Sequence, residues 1–225
     1  MKILLTLLLS LNIYADVYHV MSSLTTHELH GDTINHYKIG EYPKPYKNFS
    51  TYKKPTLFFE LKNKDYDIKL SKHFHLKSFV CKQASKYPKY LTLKPSLILV
   101  LEQIITELNK EGLNISKVTI MSGYRTPHYN KIIGSSTNSR HIYGDAADIY
   151  IDQNGDGYFD DLNQDGTINS LDIKYLAKKV NLSLKKLLFK GGVGIYKRTS
   201  HHPMFVHVDT RGYSARWDLT KSTKP

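Results

Sequence analysis

Two short segments hold residue types that can do chemistry together: SRHIYGDAAD at 139–148 and FVHVD at 205–209. They offer His141, Asp148 and His207, two imidazoles and one carboxylate, the ligand set of a zinc ion with a fourth position open to water. Such a site acidifies the water for attack on a carbonyl, which makes a hydrolase the leading reading. Eleven histidines in 225 residues make a chance trio easy, so the elements that position these residues must support the assignment.

His141 and Asp148 lie on either side of Gly144, so a turn leading into a strand brings both to one ion. On a strand at 205–209 side chains alternate, which puts 205, 207 and 209 on one face; His207 then faces the metal with Asp209 beside it. Pro95 opens the clearest helix, with Leu97, Leu101, Ile104, Ile105 and Leu108 on one face and Gly112 as the stop. Val118, Ile120 and Met121 lead as a strand into the turn SGYRT at 122–126, and Pro127 starts a short helix running to Gly134. Strands are expected at 146–151, 193–196 and 204–209, and a helix at 171–180. Strands mixed with helices, without a regular alternation, predict an α+β fold: a small antiparallel sheet carrying the zinc site, flanked by helices. Residues 16–69 are rich in Tyr, Thr and Lys and broken by prolines, with strands expected at 56–61 and 65–70, so they read as a β-rich N-terminal region. The zinc domain is expected over 70–221.

Residues 1–15 combine Lys2, an apolar run at 3–11 and the small Ala15, which reads as a secretory signal peptide; the run is too short to cross a bilayer. No second long apolar run follows, so no membrane anchor is expected after cleavage, and the protein should be periplasmic or secreted. The single cysteine, Cys81, allows no intrachain disulfide and reads as a small buried residue. A mature chain of about 210 residues suffices for one sizeable core, and a monomer is expected. The net charge of +12 comes mainly from scattered lysines. With no nucleic-acid motif, attraction to an anionic cell wall explains it better than nucleic acid does.

SGYRT, SRHIYGDAAD, GGVGIY at 191–196 and FVHVDTRG at 205–212 resemble, in this order, the zinc D-Ala-D-Ala carboxypeptidase and murein endopeptidase family, of the fold group that includes lysostaphin-type peptidases and the hedgehog domain. The resemblance runs over about 70–217 and is closest to an exported, peptidoglycan-associated branch. It implies that His141, Asp148 and His207 are zinc ligands. It also implies that Arg125 contacts substrate or the oxyanion formed during attack, with Tyr124 and Ser139 beside the substrate. A guanidinium next to the metal suits that role. The family places an acidic residue three before the last histidine, or a histidine two before it, as general base; here Met204 and Phe205 stand there. Asp209 on the strand and His202 on the loop entering it are the two candidates for the base. Ser139 and Arg140 are expected to orient the first ligand, and Arg211, Arg216 and Trp217 to pack the end of the domain.

A second metal signature lies between the motifs, at 152–172. Asp161, Asn163, Asp165, the Thr167 carbonyl, Asn169 and Asp172 occupy positions 1, 3, 5, 7, 9 and 12 of a calcium loop, with Gly166 at the sharp turn. An overlapping first loop offers Asp152, Asn154, Asp156 and the Tyr158 carbonyl but ends on Asn163 at its twelfth position. Calcium is therefore a second expected cofactor, against an acidic turn held by Asx hydrogen bonds. Because this insertion leaves the strand that carries Asp148, it is expected to brace the substrate groove. The sequence thus predicts an exported zinc metallopeptidase acting on amide bonds in peptidoglycan stems or cross-links. Its rivals are a zinc-containing wall-binding module without catalysis and a calcium-dependent adaptor.

Overall fold

The computed structural model describes residues 2–45 and 49–220, leaving out the side chains of 2–11 and 65–66. The side chains of the apolar run of the expected signal peptide, and residue 221 at the expected domain end, therefore lie outside the description. Helix α1 (Lys2–Ser22) passes through Ala15, and beyond it Val17 and Met21 are buried in the core beside α2 (Pro95–Asn109). Among the described residues no helix is long and apolar enough to cross a membrane.

Pro95 fills the first turn of α2, where its missing N–H costs nothing. The Leu97, Leu101, Ile104, Ile105 and Leu108 face is buried as its spacing predicts. Each such side chain contributes about 1.5–3 kcal/mol by leaving water. Helix α4 (Ser170–Lys186) packs on α2 through Ile173, Leu176, Val180 and Leu184, and starts at a capping box formed by Asn169 and Asp172.

The central sheet has five strands in the order β10-β8-β9-β7-β6: β6 (Thr119–Ser122), β7 (Ala146–Tyr150), β8 (Gly192–Tyr196), β9 (Phe205–Asp209) and β10 (Ala215–Leu219). One face, with Ala147, Ile149, Val193, Val206 and Val208, is part of the core. The α+β expectation is borne out. The sheet departs from a purely antiparallel one at β10, which the sequence did not reveal and which runs parallel to β8 at the edge.

A smaller sheet pairs β1 (Thr26–Glu28), β4 (Leu57–Leu61) and β5 (Lys89–Leu91), while β2 (Thr33–Ile34) and β3 (Tyr37–Lys38) form a hairpin. The N-terminal segment is β-rich, but the boundary at 69/70 does not separate two cores. Strand β4 takes β5 as its partner, and Phe58 and Leu61 join the same core as α2. The strand expected at 65–70 is absent: Asn63–Asp67 form a 3₁₀ turn, and Lys69 makes only an isolated bridge to His75. Cys81 is buried.

Candidate active site

The site is a row of residues across all five strands of the central sheet. Trp217 pairs with Gly194, Gly194 with His207, His207 with Asp148, and Asp148 with Ser122. Register puts these side chains on the face opposite the core, because alternation sends their neighbours inward. Gly194 has no substitute in this row: a Cβ there would lie 2.1 Å from the Trp217 indole. His141 joins the row from a 3₁₀ turn (Arg140–Tyr143) that runs through Gly144 into β7.

The three expected ligands converge. His141 Nε2 lies 3.1 Å from Asp148 Oδ1 and 3.2 Å from His207 Nδ1, and His207 Nδ1 lies 3.0 Å from Asp148 Oδ1. Zinc bonds of about 2.0–2.2 Å at tetrahedral angles place ligand atoms about 3.3–3.6 Å apart, so the triangle fits zinc after an expansion of a few tenths of an ångström. Among the described residues this is the group of histidine and carboxylate atoms close enough to hold one ion.

The partners behind each ligand fix which atom faces the ion. His141 Nδ1 donates to the Gly123 carbonyl at 2.7 Å, which leaves the Nε2 lone pair for the metal. Gly123 itself must be glycine, since a Cβ would lie 2.5 Å from the Phe79 Cα. Arg125 Nη2 bonds Asp148 Oδ2 and Arg125 Nε bonds Ser122 Oγ, so the aspartate offers its other oxygen to the cluster. Burial raises the Asp148 pKa, but the two imidazoles overcome it and hold the group well below the carboxylate range. Burial likewise depresses His207, yet Asp148 and Asp209 together push its pKa up to about 9.

Asp209 has a different place from that of a general base. His207 Nε2 donates to its Oδ2 at 3.0 Å, on the far side of the ring from the cluster, while Gly192 N and Arg211 N and Nε donate to Oδ1 at 2.8–3.0 Å. A fully buried carboxylate so occupied, held well below its usual range against the push of burial by His207 and Arg211, orients an imidazole and takes no proton from water. Asp209→Asn is therefore expected to lower zinc affinity by about 10- to 100-fold, read by chelator competition. A variant that keeps wild-type zinc affinity but loses turnover would restore the base assignment.

A cavity of about 390 Å³ lies against the cluster, and Asp148 and His207 reach its wall. Arg125 and Ser139 line it, in keeping with a place beside substrate. Tyr124 does not: it is 1% exposed, belongs to the core, and its hydroxyl faces Tyr42. His202 sits outside the lining, its Nδ1 donating to the Pro203 carbonyl and its ring edge against Phe205. Arg140 lines the cavity but is held away from His141, as its guanidinium bonds Asp145 and lies 4.4 Å from the Tyr52 and Tyr143 rings. Arg211 and Trp217, expected as end packing, line the cavity too. Among the described residues of the lining, the only carboxylate and imidazole are Asp148 and His207.

Sequence reasoning missed Tyr196, Phe205 and Trp217 as cavity residues. The signal for Tyr196 is present in GGVGIY: Gly192, Gly194 and Tyr196 alternate onto one face, and the two glycines clear room there for Asp209, Arg211 and Trp217. Trp217 is visible only through the parallel register of β10, which pairs residues far apart in sequence.

The 152–172 insertion contributes no residue to the described lining of this cavity. It folds instead as Asx turns around the acidic side chains. Asp161 accepts Gly166 N at 2.7 Å, Asp165 accepts Thr167 N at 2.9 Å, and Asp152 accepts Gly155 N at 2.7 Å. Asn163 and Asn154 accept Asp165 N and Asp156 N in the same way, and the Tyr158 ring lies under Arg198. Asp172, expected as the last calcium ligand, is buried and spends both oxygens on Leu162 N, Asn163 N and Asn169 N; it closes the loop and caps α4.

Residues 72–164 match the family model described as Peptidase M15, the family of zinc D-Ala-D-Ala carboxypeptidase-like enzymes. The match agrees with the resemblance over SGYRT and SRHIYGDAAD, whereas GGVGIY and FVHVDTRG lie beyond it. The matched segment holds Arg125, His141 and Asp148, whereas His207 lies beyond it on β9. No curated protein matches the chain.

Proposed function

We propose that this chain, which carries the peptidase M15 pattern over 72–164, is an exported zinc metallopeptidase hydrolysing amide bonds in peptidoglycan stem peptides or cross-links. It acts as a monomer, in the periplasm or outside the cell. The observation that carries this reading is the convergence of His141, Asp148 and His207 on one point beside an open cavity. Zinc bound there supplies Lewis acidity toward a carbonyl oxygen and acidifies water. The protein's own residues do the positioning. Gly123 and Asp209 fix the two imidazoles, and Arg125 fixes Asp148 while its guanidinium, whose Nη1 lies 3.4 Å from Ser135 Oγ, lines the cavity where it can meet a substrate carboxylate or oxyanion. The charge of +12 favours encounter with an anionic wall polymer.

The test is digestion of purified peptidoglycan by zinc-loaded protein, with mass spectrometry of the released muropeptides. Free D-alanine marks carboxypeptidase action and severed cross-links mark endopeptidase action; a chelator should abolish either and added zinc restore it. A second reading, a catalytically inactive zinc-containing wall-binding module, is favoured by one observation: among the described residues of the lining, the only carboxylate and imidazole, Asp148 and His207, are the two proposed as metal ligands. Protein that holds zinc and sediments with murein, yet releases nothing, would establish that reading instead.

Calcium at the second loop, through Asp161, Asn163, Asp165, Thr167 and Asn169, is proposed on ligand spacing. Calcium should then raise the melting temperature by several degrees, since a ligand of the folded state stabilises it by mass action. Asp165→Ala should remove that response and keep zinc; an identical calcium shift in the variant would place the effect elsewhere.

A further inference from the structure

Tyr196 stands two residue pairs along from the metal row, opposite Phe205 and therefore on the same face as Gly194 and His207. Its ring stacks on Phe205 with centroids 4.4 Å apart and an interplanar angle of 9°, which fixes the plane of the phenol. Its hydroxyl oxygen accepts the indole N–H of Trp217 at 2.9 Å. Indole can only donate, so that bond uses an acceptor lone pair and leaves the phenolic proton free to be given elsewhere. Among the described residues no protein acceptor takes it. Tyr196 is half-buried and shares the cavity wall with Asp148, His207 and Arg125. Arg125, beside the cluster, places Nη2 on Asp148, Nε on Ser122 and Nη1 3.4 Å from Ser135 Oγ.

We infer that Tyr196 is a catalytic residue whose hydroxyl donates a hydrogen bond to the oxyanion that develops on the scissile carbonyl oxygen, with Trp217 holding that hydroxyl in place. The inference rests on the peptidase reading above and adds a donor to it. As the water oxygen bonds to the carbonyl carbon, the C=O π pair moves onto the carbonyl oxygen. On collapse the oxyanion pair re-forms the C=O bond as the C–N pair leaves on nitrogen, which gains a proton that came from the water, so the products are a carboxylate and an amine. Tyr196 keeps its own proton throughout and contributes only the hydrogen bond. Such a donor is worth most when it is preorganised and shielded from bulk water, as a phenol stacked on Phe205 and tethered to Trp217 is.

The experiment uses full-length zinc-loaded protein and a phosphinate in which the scissile amide of D-alanyl-D-alanine is replaced by a tetrahedral PO₂⁻ group. Calorimetry on wild type and Tyr196→Phe should show phosphinate affinity about 10- to 100-fold weaker in the variant, with the affinity for D-alanine unchanged. With peptidoglycan fragments kcat should fall about 10²- to 10³-fold at little-changed KM, while zinc content and melting temperature stay at wild-type values. Trp217→Phe keeps a ring over Gly194 but loses the tethering N–H, and should give a smaller loss in the same direction with zinc retained. Wild-type phosphinate affinity and kcat in Tyr196→Phe would overturn the inference while leaving the peptidase reading intact. Loss of zinc or early melting in Tyr196→Phe would also overturn it, by making the residue structural. If zinc-loaded wild type neither binds the phosphinate nor releases anything from murein, the peptidase reading falls and takes the inference with it.

Discussion

His207→Ala should strip the protein of its metal and its turnover together. The imidazole supplies one of three ligand atoms packed within 3.2 Å of each other, and two atoms cannot hold zinc against dilution. Murein release should fall to the level of chelator-treated wild type, well beyond the roughly 10²- to 10³-fold that loss of a single oxyanion donor costs. His141→Ala should behave alike although it lies inside the family-matched segment and His207 does not. Elemental analysis of both variants checks this, with far-UV circular dichroism to show that the fold survives. Full zinc occupancy in either variant would dismiss the ligand assignment.

Asp145→Asn should be the most damaging change away from the metal. Its carboxylate is fully buried and receives Arg140 Nε at 3.0 Å, Arg140 Nη2, and Lys94 Nζ at 3.0 Å. Arg140 is 1% exposed, lies against Tyr52 and Tyr143, and also bonds the Thr51 carbonyl at 2.9 Å. Neutralising one member leaves a buried guanidinium without its counter-charge, which costs about 3–5 kcal/mol. At about 2–4 °C per kcal/mol for a chain of this size, the melting temperature should fall by about 6–20 °C. Lys94→Ala, at the exposed corner of the same cluster, should cost under about 1 kcal/mol. Equal shifts in the two variants would show that the buried pair carries no special weight.

The convergence of His141, Asp148 and His207 was legible because its motifs are local: Gly144 turns His141 toward a strand only a few residues away, and alternation orients His207. Alternation also placed Asp209 on the same face, but it cannot tell a carboxylate beside the metal from one behind the imidazole. That distinction depends on which ring nitrogen faces the ion, and hence on Gly192 and Arg211 holding the carboxylate. Tyr124 was misread for a related reason. The turn that carries Arg125 to Asp148 sends the preceding side chain inward, where Tyr124 N bonds the Phe79 carbonyl. The helices were legible from Pro95 and from the spacing of their apolar faces. The alternation at 65–70 was not enough for a strand: among the described residues its only bridge is Lys69–His75, and its other pairing is local, Leu70 N–H to the Phe74 carbonyl and Leu76 N–H to the Ile68 carbonyl. The N-terminal segment looked separable because composition changes near residue 70, whereas strand pairing across that point is a long-range property.

Trp217 has a consequence for how the protein can be observed. It is the only tryptophan in the chain, and its ring lies 5.3 Å from the ring of His207 at the cavity wall. A charged imidazole in contact with an indole quenches its emission, and a neutral one does so far less. The chain therefore carries its own optical reporter beside the proposed metal site, and zinc binding there should be detectable in real time by intrinsic fluorescence without a label.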